Sequence, residues 1–203
     1  MDEAIFYIQL IMSSNTLIIL SLFSLLTFLS TFINAEPVPE RIVTVEELTA
    51  TTSAKHLILF ATLKNSFTPE MIEILDSGIP LHFTFYIELY KIAENVPDEQ
   101  VTALILKHTM IFDTLKENYK VTLEEENNKT HSFRSLIEAQ KIINEVNGIE
   151  VIELSQLIPD NLYKIKIRAE LYRKTLPMSL HNILPFFSWW DVKTGWHTIE
   201  FKY

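Results

Sequence analysis

The stretch that decides the fold is Pro80 to Lys91, PLHFTFYIELYK, in which apolar and polar residues alternate strictly. The polar positions carry His82, Thr84, Tyr86, Glu88 and Tyr90. Such alternation is typical of an antiparallel strand with one face in the core and the other toward solvent. We therefore expect these side chains to point into the core: Leu81, Phe83, Phe85, Ile87 and Leu89.

Further β-branched and alternating segments lie on both sides of this strand. On the same pattern the sequence predicts strands over residues 41–49, 55–65, 101–112, 119–125, 149–154 and 161–174. A last hairpin is expected at the carboxyl end, with Gly195 at its turn.

Two short helices interrupt the strands. The first is predicted to begin at Thr68-Pro69-Glu70, with threonine as the cap, proline in the first turn and an acid near the helix amino end. Gly78 is its predicted stop, since glycine readily takes the left-handed conformation. The second helix is predicted over residues 133–146, capped by Ser132 and ended by Asn147-Gly148.

These elements predict a mainly β fold with two short helices, arranged as an antiparallel β-sandwich. The alternative is an α+β arrangement in which an antiparallel sheet carries the helices on one face. Both arrangements fit a single domain over residues 41–203.

The amino-terminal segment has a different character. Residues 16–33 contain no charged side chain and are mostly Leu, Ile and Phe, and Ile33-Asn34-Ala35 suits cleavage before Glu36. Residues 1–35 are therefore interpreted as a signal peptide or as a membrane anchor of one span, and a buried core helix is the third possibility. Residues 36–40 would be a linker, and the domain behind it would be extracytoplasmic. No basic residue precedes Arg41, and a start of translation at Met12 is therefore an alternative to Met1.

Composition excludes several functional classes. The chain has 203 residues, a formal net charge of −9 and no cysteine. An acidic domain is a poor nucleic-acid surface, because such a surface needs clustered positive charge. Without cysteine there is no disulfide, thiolate nucleophile or thiolate metal site. The sequence sets no oligomeric state.

A family resemblance rests on several short landmarks in a fixed order. They are Gly78-Ile79-Pro80-Leu81 before the long strand, Leu115 to Tyr119, Tyr163 to Pro177 with Arg168 and a terminal Leu-Pro, Trp189-Trp190 and Trp196. In this order they resemble the bacterial DUF4390 family over residues 41–203. The resemblance implies an exported or membrane-anchored protein and supplies no activity.

Catalytic, metal and cofactor signals are weak, and we expect none of these sites. The six histidines show no metal-binding spacing. His181, Ser188 and Asp191 include the side-chain types of a hydrolase triad, but no nucleophile-elbow motif surrounds the serine. The run Glu124 to Glu126 is interpreted as a solvated loop edge rather than as a cation site.

Two surfaces are candidates for binding. Lys164, Lys166 and Arg168 alternate along one strand and could meet a phospholipid surface or an acidic partner, unless they pair with Glu88 or Glu124 on neighbouring strands. The aromatic residues near the carboxyl end could line an apolar site or close the core. They are Phe186, Phe187, Trp189, Trp190 and Trp196.

Three functions follow in order of preference. The first is a non-enzymatic domain of the bacterial envelope that binds or supports another envelope protein or meets the membrane surface. The second is a carrier or sensor for an apolar ligand or lipid, held between the sheets or beneath residues 186–190. The third is a hydrolase without a recognisable motif.

Overall fold

Two antiparallel sheets and two short helices form the described part of the chain. The structure, a computed structural model, describes residues 42–173 and 192–203. The strands are β1 (Thr44–Thr52), β2 (His56–Lys64), β3 (Leu81–Lys91), β4 (Glu99–Asp113), β5 (Asn118–Leu123), β6 (Lys129–Phe133), β7 (Glu145–Glu153), β8 (Leu162–Arg173), β9 (Val192–Lys193) and β10 (His197–Lys202). The helices are α1 (Pro69–Asp76) and α2 (Leu136–Asn144).

The smaller sheet has the strand order β1-β2-β7, and the larger has the order β10-β8-β3-β4-β5-β6, with β9 also paired to β8. Buried side chains of both sheets and both helices form one hydrophobic core. Helix α2 contacts β4, β5 and β6 of the larger sheet and β2 of the smaller one. The predicted fold class is confirmed as a β-sandwich-like α+β arrangement.

The centre of the larger sheet is β3, which pairs with β4 on one side and β8 on the other. All five predicted inward residues of β3 are buried, at 0–5% exposure. The inner face of β8 is buried in the same way, through Tyr163, Ile165, Ile167, Ala169 and Leu171. The alternation in the sequence therefore identifies the core face of both strands.

Helix α1 begins and ends as predicted. Oγ1 of Thr68 accepts a hydrogen bond from the backbone N–H of Met71 at 3.3 Å, and Pro69 follows at the first helical position. Gly78 has a φ of +78°, the left-handed conformation, and its N–H donates to the carbonyl of Leu75 at 2.8 Å.

Helix α2 is shorter than predicted. It starts at Leu136 after Ser135, whereas the sequence indicated a start at Phe133 after Ser132. Residues 129–133 instead form β6, which pairs with β5 in a hairpin. The predicted stop is also wrong, because Gly148 lies inside β7. A strand as short as β6 carries too little periodicity to be distinguished from the first turn of a helix.

The pairing of β2 shifts at three points, one of them between Leu57 and Ile58, and the other two are β-bulges that flank the middle of the strand. On the β1 side the pairing shifts between Glu46 and Thr49, and Glu47 between them has a φ of 54°. On the β7 side the pairing shifts opposite Phe60, where Gly148 is the extra residue with a φ of 75°. Bulges redirect side chains. Both neighbours of β2 therefore depart from regular strand geometry next to Phe60.

The predicted hairpin at Gly195 is wrong. Strands β9 and β10 both pair with β8, one after the other along the same edge. Between them, Oγ1 of Thr194 accepts a hydrogen bond from the backbone N–H of Ala169 at 3.0 Å. The segment containing Gly195 therefore interrupts one edge strand and leads into Trp196.

No helix in residues 42–173 or 192–203 is long and apolar enough to cross a membrane. The predicted signal or anchor and its linker lie outside the described residues. Their assignment stays a prediction.

Candidate functional site

The three predicted cations share the outer face of β8. The side chains of Lys164, Lys166 and Arg168 are 23%, 28% and 23% exposed. Each is within ion-pair distance of one carboxylate, with N···O distances of 4.0 Å for Lys166 and 3.3 Å for Arg168. Their partners, in the same order, are Asp98, Glu88 and Glu170. Glu170 is shared, because Nζ of Lys193 lies 2.5 Å from the same oxygen, so the local positive charge is compensated in large part but not completely.

The predicted carboxylate partners are only half correct. Glu88 does contact Lys166, because the two residues are paired between β3 and β8. Glu124 does not contact the cations of β8. It follows β5, and the strands β3 and β4 lie between β5 and β8. Its Oε2 instead accepts a hydrogen bond from the backbone N–H of Lys107 at 2.9 Å.

The same face carries an alternating series of cations and aromatic rings, which we call the cation-aromatic ladder. Its members, in order, are Lys164, Tyr90, Lys166, Trp196, Arg168 and Tyr86. Nζ of Lys166 lies 5.1 Å from the ring centroid of Tyr90 and 5.0 Å from that of Trp196. The guanidinium carbon of Arg168 lies 4.8 Å from the ring of Trp196 and 4.6 Å from that of Tyr86. These distances are in the range of cation–π attraction.

Hydrogen bonds and charge hold the ladder side chains in place. The hydroxyl of Tyr90 donates to Oε2 of Glu88 at 2.8 Å, and chiefly for this reason the pKa of Tyr90 is raised. The hydrogen bond from Lys164 is the main cause of a lowered pKa at Asp98, with a further contribution from the backbone N–H of Ala93. Nε of Arg168 is buried without a hydrogen-bond partner in the described part of the chain, while the faces of its guanidinium contact the rings of Tyr86 and Trp196.

Strand register explains why these residues meet. Tyr86 pairs with Arg168 and Tyr90 pairs with Lys164 between β3 and β8. Trp196 lies just before β10, the strand that pairs with the other side of β8. Sequence reasoning placed Tyr86 and Tyr90 on the outer face of β3 but missed them as site residues, because the pairing register is not readable from one strand.

The aromatic site predicted near the carboxyl end lies mostly outside the described residues. This applies to Phe186, Phe187, Trp189 and Trp190, and equally to His181, Ser188 and Asp191. Trp196 is described and is 37% exposed. It belongs to the ladder on the outer face of the larger sheet.

The run Glu124 to Glu126 does not act as one surface. Glu126 contacts Nε2 of His131 at 2.8 Å near the surface, while Glu125 turns inward and contacts Nε2 of His108 at the same distance. The prediction of a solvated edge is therefore wrong for Glu125, whose side chain is 15% exposed. No cluster of three potential metal ligands occurs in residues 42–173 or 192–203.

His108 is a fully buried polar residue inside the core. Its Nδ1 lies 2.8 Å from the carbonyl oxygen of Ile143 in α2, which can only accept, so this nitrogen donates. Nε2 lies 2.8 Å from Oε1 of Glu125. Burial by itself would raise the pKa of Glu125, but the hydrogen bond and charge of His108 outweigh it, and the pKa is lowered.

The sequence was also compared with known proteins. Residues 41–200 match the family model described as "Domain of unknown function (DUF4390)". No curated protein and no solved structure gives a significant match.

Proposed function

The chain belongs to the DUF4390 family, and we propose that it is a non-enzymatic accessory domain that binds another protein in the bacterial cell envelope. The observation that carries this proposal is the cation-aromatic ladder, which lies on the outer face of a sheet and includes a partly exposed tryptophan.

The composition of the ladder suits a protein partner. Tryptophan, tyrosine and arginine dominate the residues that contribute most to protein–protein binding. The stacking of Arg168 between Tyr86 and Trp196 restricts these side chains before a partner arrives. Such preorganisation lowers the entropy lost on association.

The charge balance favours a protein over a bare phospholipid surface. Asp98 and Glu88 compensate Lys164 and Lys166, and Glu170 is shared between Arg168 and Lys193. Attraction to anionic headgroups depends on uncompensated positive charge near the membrane. A protein surface that offers both polar and apolar groups matches the ladder more closely.

The proposed location rests on the amino-terminal segment. Residues 16–33 carry no charge and are followed by a small residue at a suitable cleavage point. We therefore place the domain in the periplasm or elsewhere in the envelope, exported by a signal peptide or tethered by an anchor. Neither the apolar-ligand carrier nor the hydrolase is favoured by a specific contact among the described residues.

The test is quantitative co-purification from the native bacterium. The full chain would be tagged at its own locus, crosslinked in living cells and recovered as wild type, Trp196→Ser or Leu115→Ser. Leu115 is a matched control because it is 95% exposed and lies in the turn between β4 and β5, away from the ladder. We expect an envelope protein to be recovered with wild type and control, and about tenfold less of it with Trp196→Ser.

Two results would contradict the proposal. One is equal recovery of every crosslinked protein with Trp196→Ser and wild type when both are present at the same level. The other is binding of the purified wild-type chain to vesicles of anionic phospholipid, but not to any recovered protein. Thermal denaturation of each variant checks that a loss of binding is not a loss of folding.

A further inference from the structure

Two adjoining grooves lie where both bulges flank β2. The smaller groove has a volume of about 300 Å³ and is lined by residues of β1, β2 and β7. The larger has a volume of about 510 Å³ and extends to α2. They share Glu47, Thr62 and Glu145. Bulges are common beside binding sites, where they redirect side chains. The two bulges here redirect side chains toward the same grooves.

The two glutamates approach Thr62 from opposite neighbouring strands. Thr62 pairs directly with Glu145 in the β2–β7 ladder. Its hydroxyl donates to Oε2 of Glu47 at 2.9 Å. Glu47 is the bulge residue with the left-handed φ of 54°, a conformation that costs energy for a side chain other than glycine. Both carboxylates thus line one small depression.

No lysine or arginine of the described residues forms an ion pair with either carboxylate. This differs from the ladder, where each carboxylate faces a cation. Lys64 and Lys141 line only the larger groove, and no cationic side chain lines the smaller one. The smaller groove is therefore lined by two acids and no base, while the two lysines lie on the side of the larger groove.

Apolar side chains complete the grooves. Phe60 lines the smaller groove and is 36% exposed, with its ring held near the backbone of Gly148. An aromatic ring beside two carboxylates suits a planar guanidinium, which stacks on rings while donating to carboxylates. Ile137 lines the larger groove at 78% exposure.

We propose that this double-bulge groove is a second binding site, separate from the ladder, that takes an arginine or lysine side chain of a partner protein. The cationic group lies between Phe60 and the carboxylates of Glu47 and Glu145. An apolar residue next to it on the partner contacts Ile137. Charge complementarity identifies this occupant, because two acids and no base line the smaller groove and apolar side chains lie beside them.

The experiment uses the full chain in detergent micelles and a short fluorescein-labelled peptide with one arginine between two leucines. The matched probe carries citrulline, which keeps the shape of arginine and removes its charge. Fluorescence anisotropy should show that the arginine peptide binds about tenfold more tightly than the citrulline peptide. Glu145→Gln should remove most of this preference, and Phe60→Ser should weaken binding of the arginine peptide.

Glu138→Gln is the control, since Glu138 is an exposed acid on α2 that does not line either groove. It should leave the preference for arginine unchanged, and so should Trp196→Ser, which removes a ladder residue. Equal affinity for the two peptides, binding of neither, or an equal effect of Glu138→Gln and Glu145→Gln would overturn the proposal. These outcomes do not depend on the co-purification test of the ladder.

Discussion

The two faces of β3 and β8 are built from alternate residues of the same strands, yet different forces organise them. On the inner face, apolar side chains such as Phe85 and Ile165 are 1% and 0% exposed. On the outer face, the cations of β8 keep roughly a quarter of their side-chain area in solvent and contact acids and rings. Buried apolar area contributes far more to stability than exposed ion pairs do.

The difference between the faces separates folding from binding. Substitutions on the inner face should reduce the free energy of unfolding. Substitutions on the outer face should act chiefly on partner recognition or on local pKa values. The same contrast between buried and exposed contacts holds elsewhere in the sheet, and three substitutions test it, beginning with the largest expected effect.

Phe85→Ala should lower the free energy of unfolding by about 3–5 kcal/mol, because it removes a buried ring that packs against His108 and leaves a cavity. Urea denaturation at neutral pH measures this loss. Thr84→Ala, the neighbouring substitution on the outer face, should change stability by less than about 0.5 kcal/mol. A loss below about 1 kcal/mol for Phe85→Ala would mean that the two faces are reversed.

Glu125→Gln should cost about 1–3 kcal/mol at neutral pH, since it replaces the charged carboxylate that faces the buried ring of His108 with a neutral amide. Glu126→Gln is the matched control: its histidine contact has the same 2.8 Å distance but lies near the surface. That substitution should cost no more than about 1 kcal/mol. Urea denaturation of both variants compares the same contact inside and outside the core.

The effect of Glu125→Gln should also depend on pH. Because the pKa of Glu125 is lowered in the folded protein, its stabilisation is complete above the pKa of an unfolded glutamate, about 4.3. It is lost as the pH falls through the lower folded value. The stability gap between wild type and Glu125→Gln should therefore narrow below about pH 4. An equally large gap in strong acid would show that the negative charge of Glu125 does not cause the difference.

Lys164→Ala should have the smallest effect on folding. It removes the hydrogen bond that is the main cause of the lowered pKa of Asp98, so this pKa should rise toward that of an ordinary aspartate. Carboxyl carbon NMR titration measures the change. Lys202→Ala, which removes a contact with Asp160 instead, should leave Asp98 unaffected. An unchanged pKa in Lys164→Ala would show that the backbone N–H of Ala93 dominates.

Local features of the chain were predictable wherever a few adjacent residues contain the whole signal. The capping of α1 needs only Thr68, Pro69 and Gly78, and all three act as expected. The predicted start of α2 was wrong because residues 129–133 form β6, a short strand that is defined by its pairing with β5. The hairpin at Gly195 was wrong for a related reason, since both flanking strands pair with β8.

The candidate sites divide in the same way. Alternation along β8 placed Lys164, Lys166 and Arg168 on one face, and alternation along β3 placed Tyr86 and Tyr90 on another. Only the pairing register turned these two rows into one ladder. The double-bulge groove was not predicted from the sequence. It requires register shifts in both neighbours of β2 at the same position along the strand.

The sequence by itself determined the two faces of the long strands, the direction of the core and the first helix, because a period of two and a capped turn are properties of consecutive residues. The tertiary structure alone decided which carboxylates compensate the cations, which rings stack on them and where uncompensated charge is left. These contacts join residues far apart in the chain, and strand order and register are set by packing of the whole core.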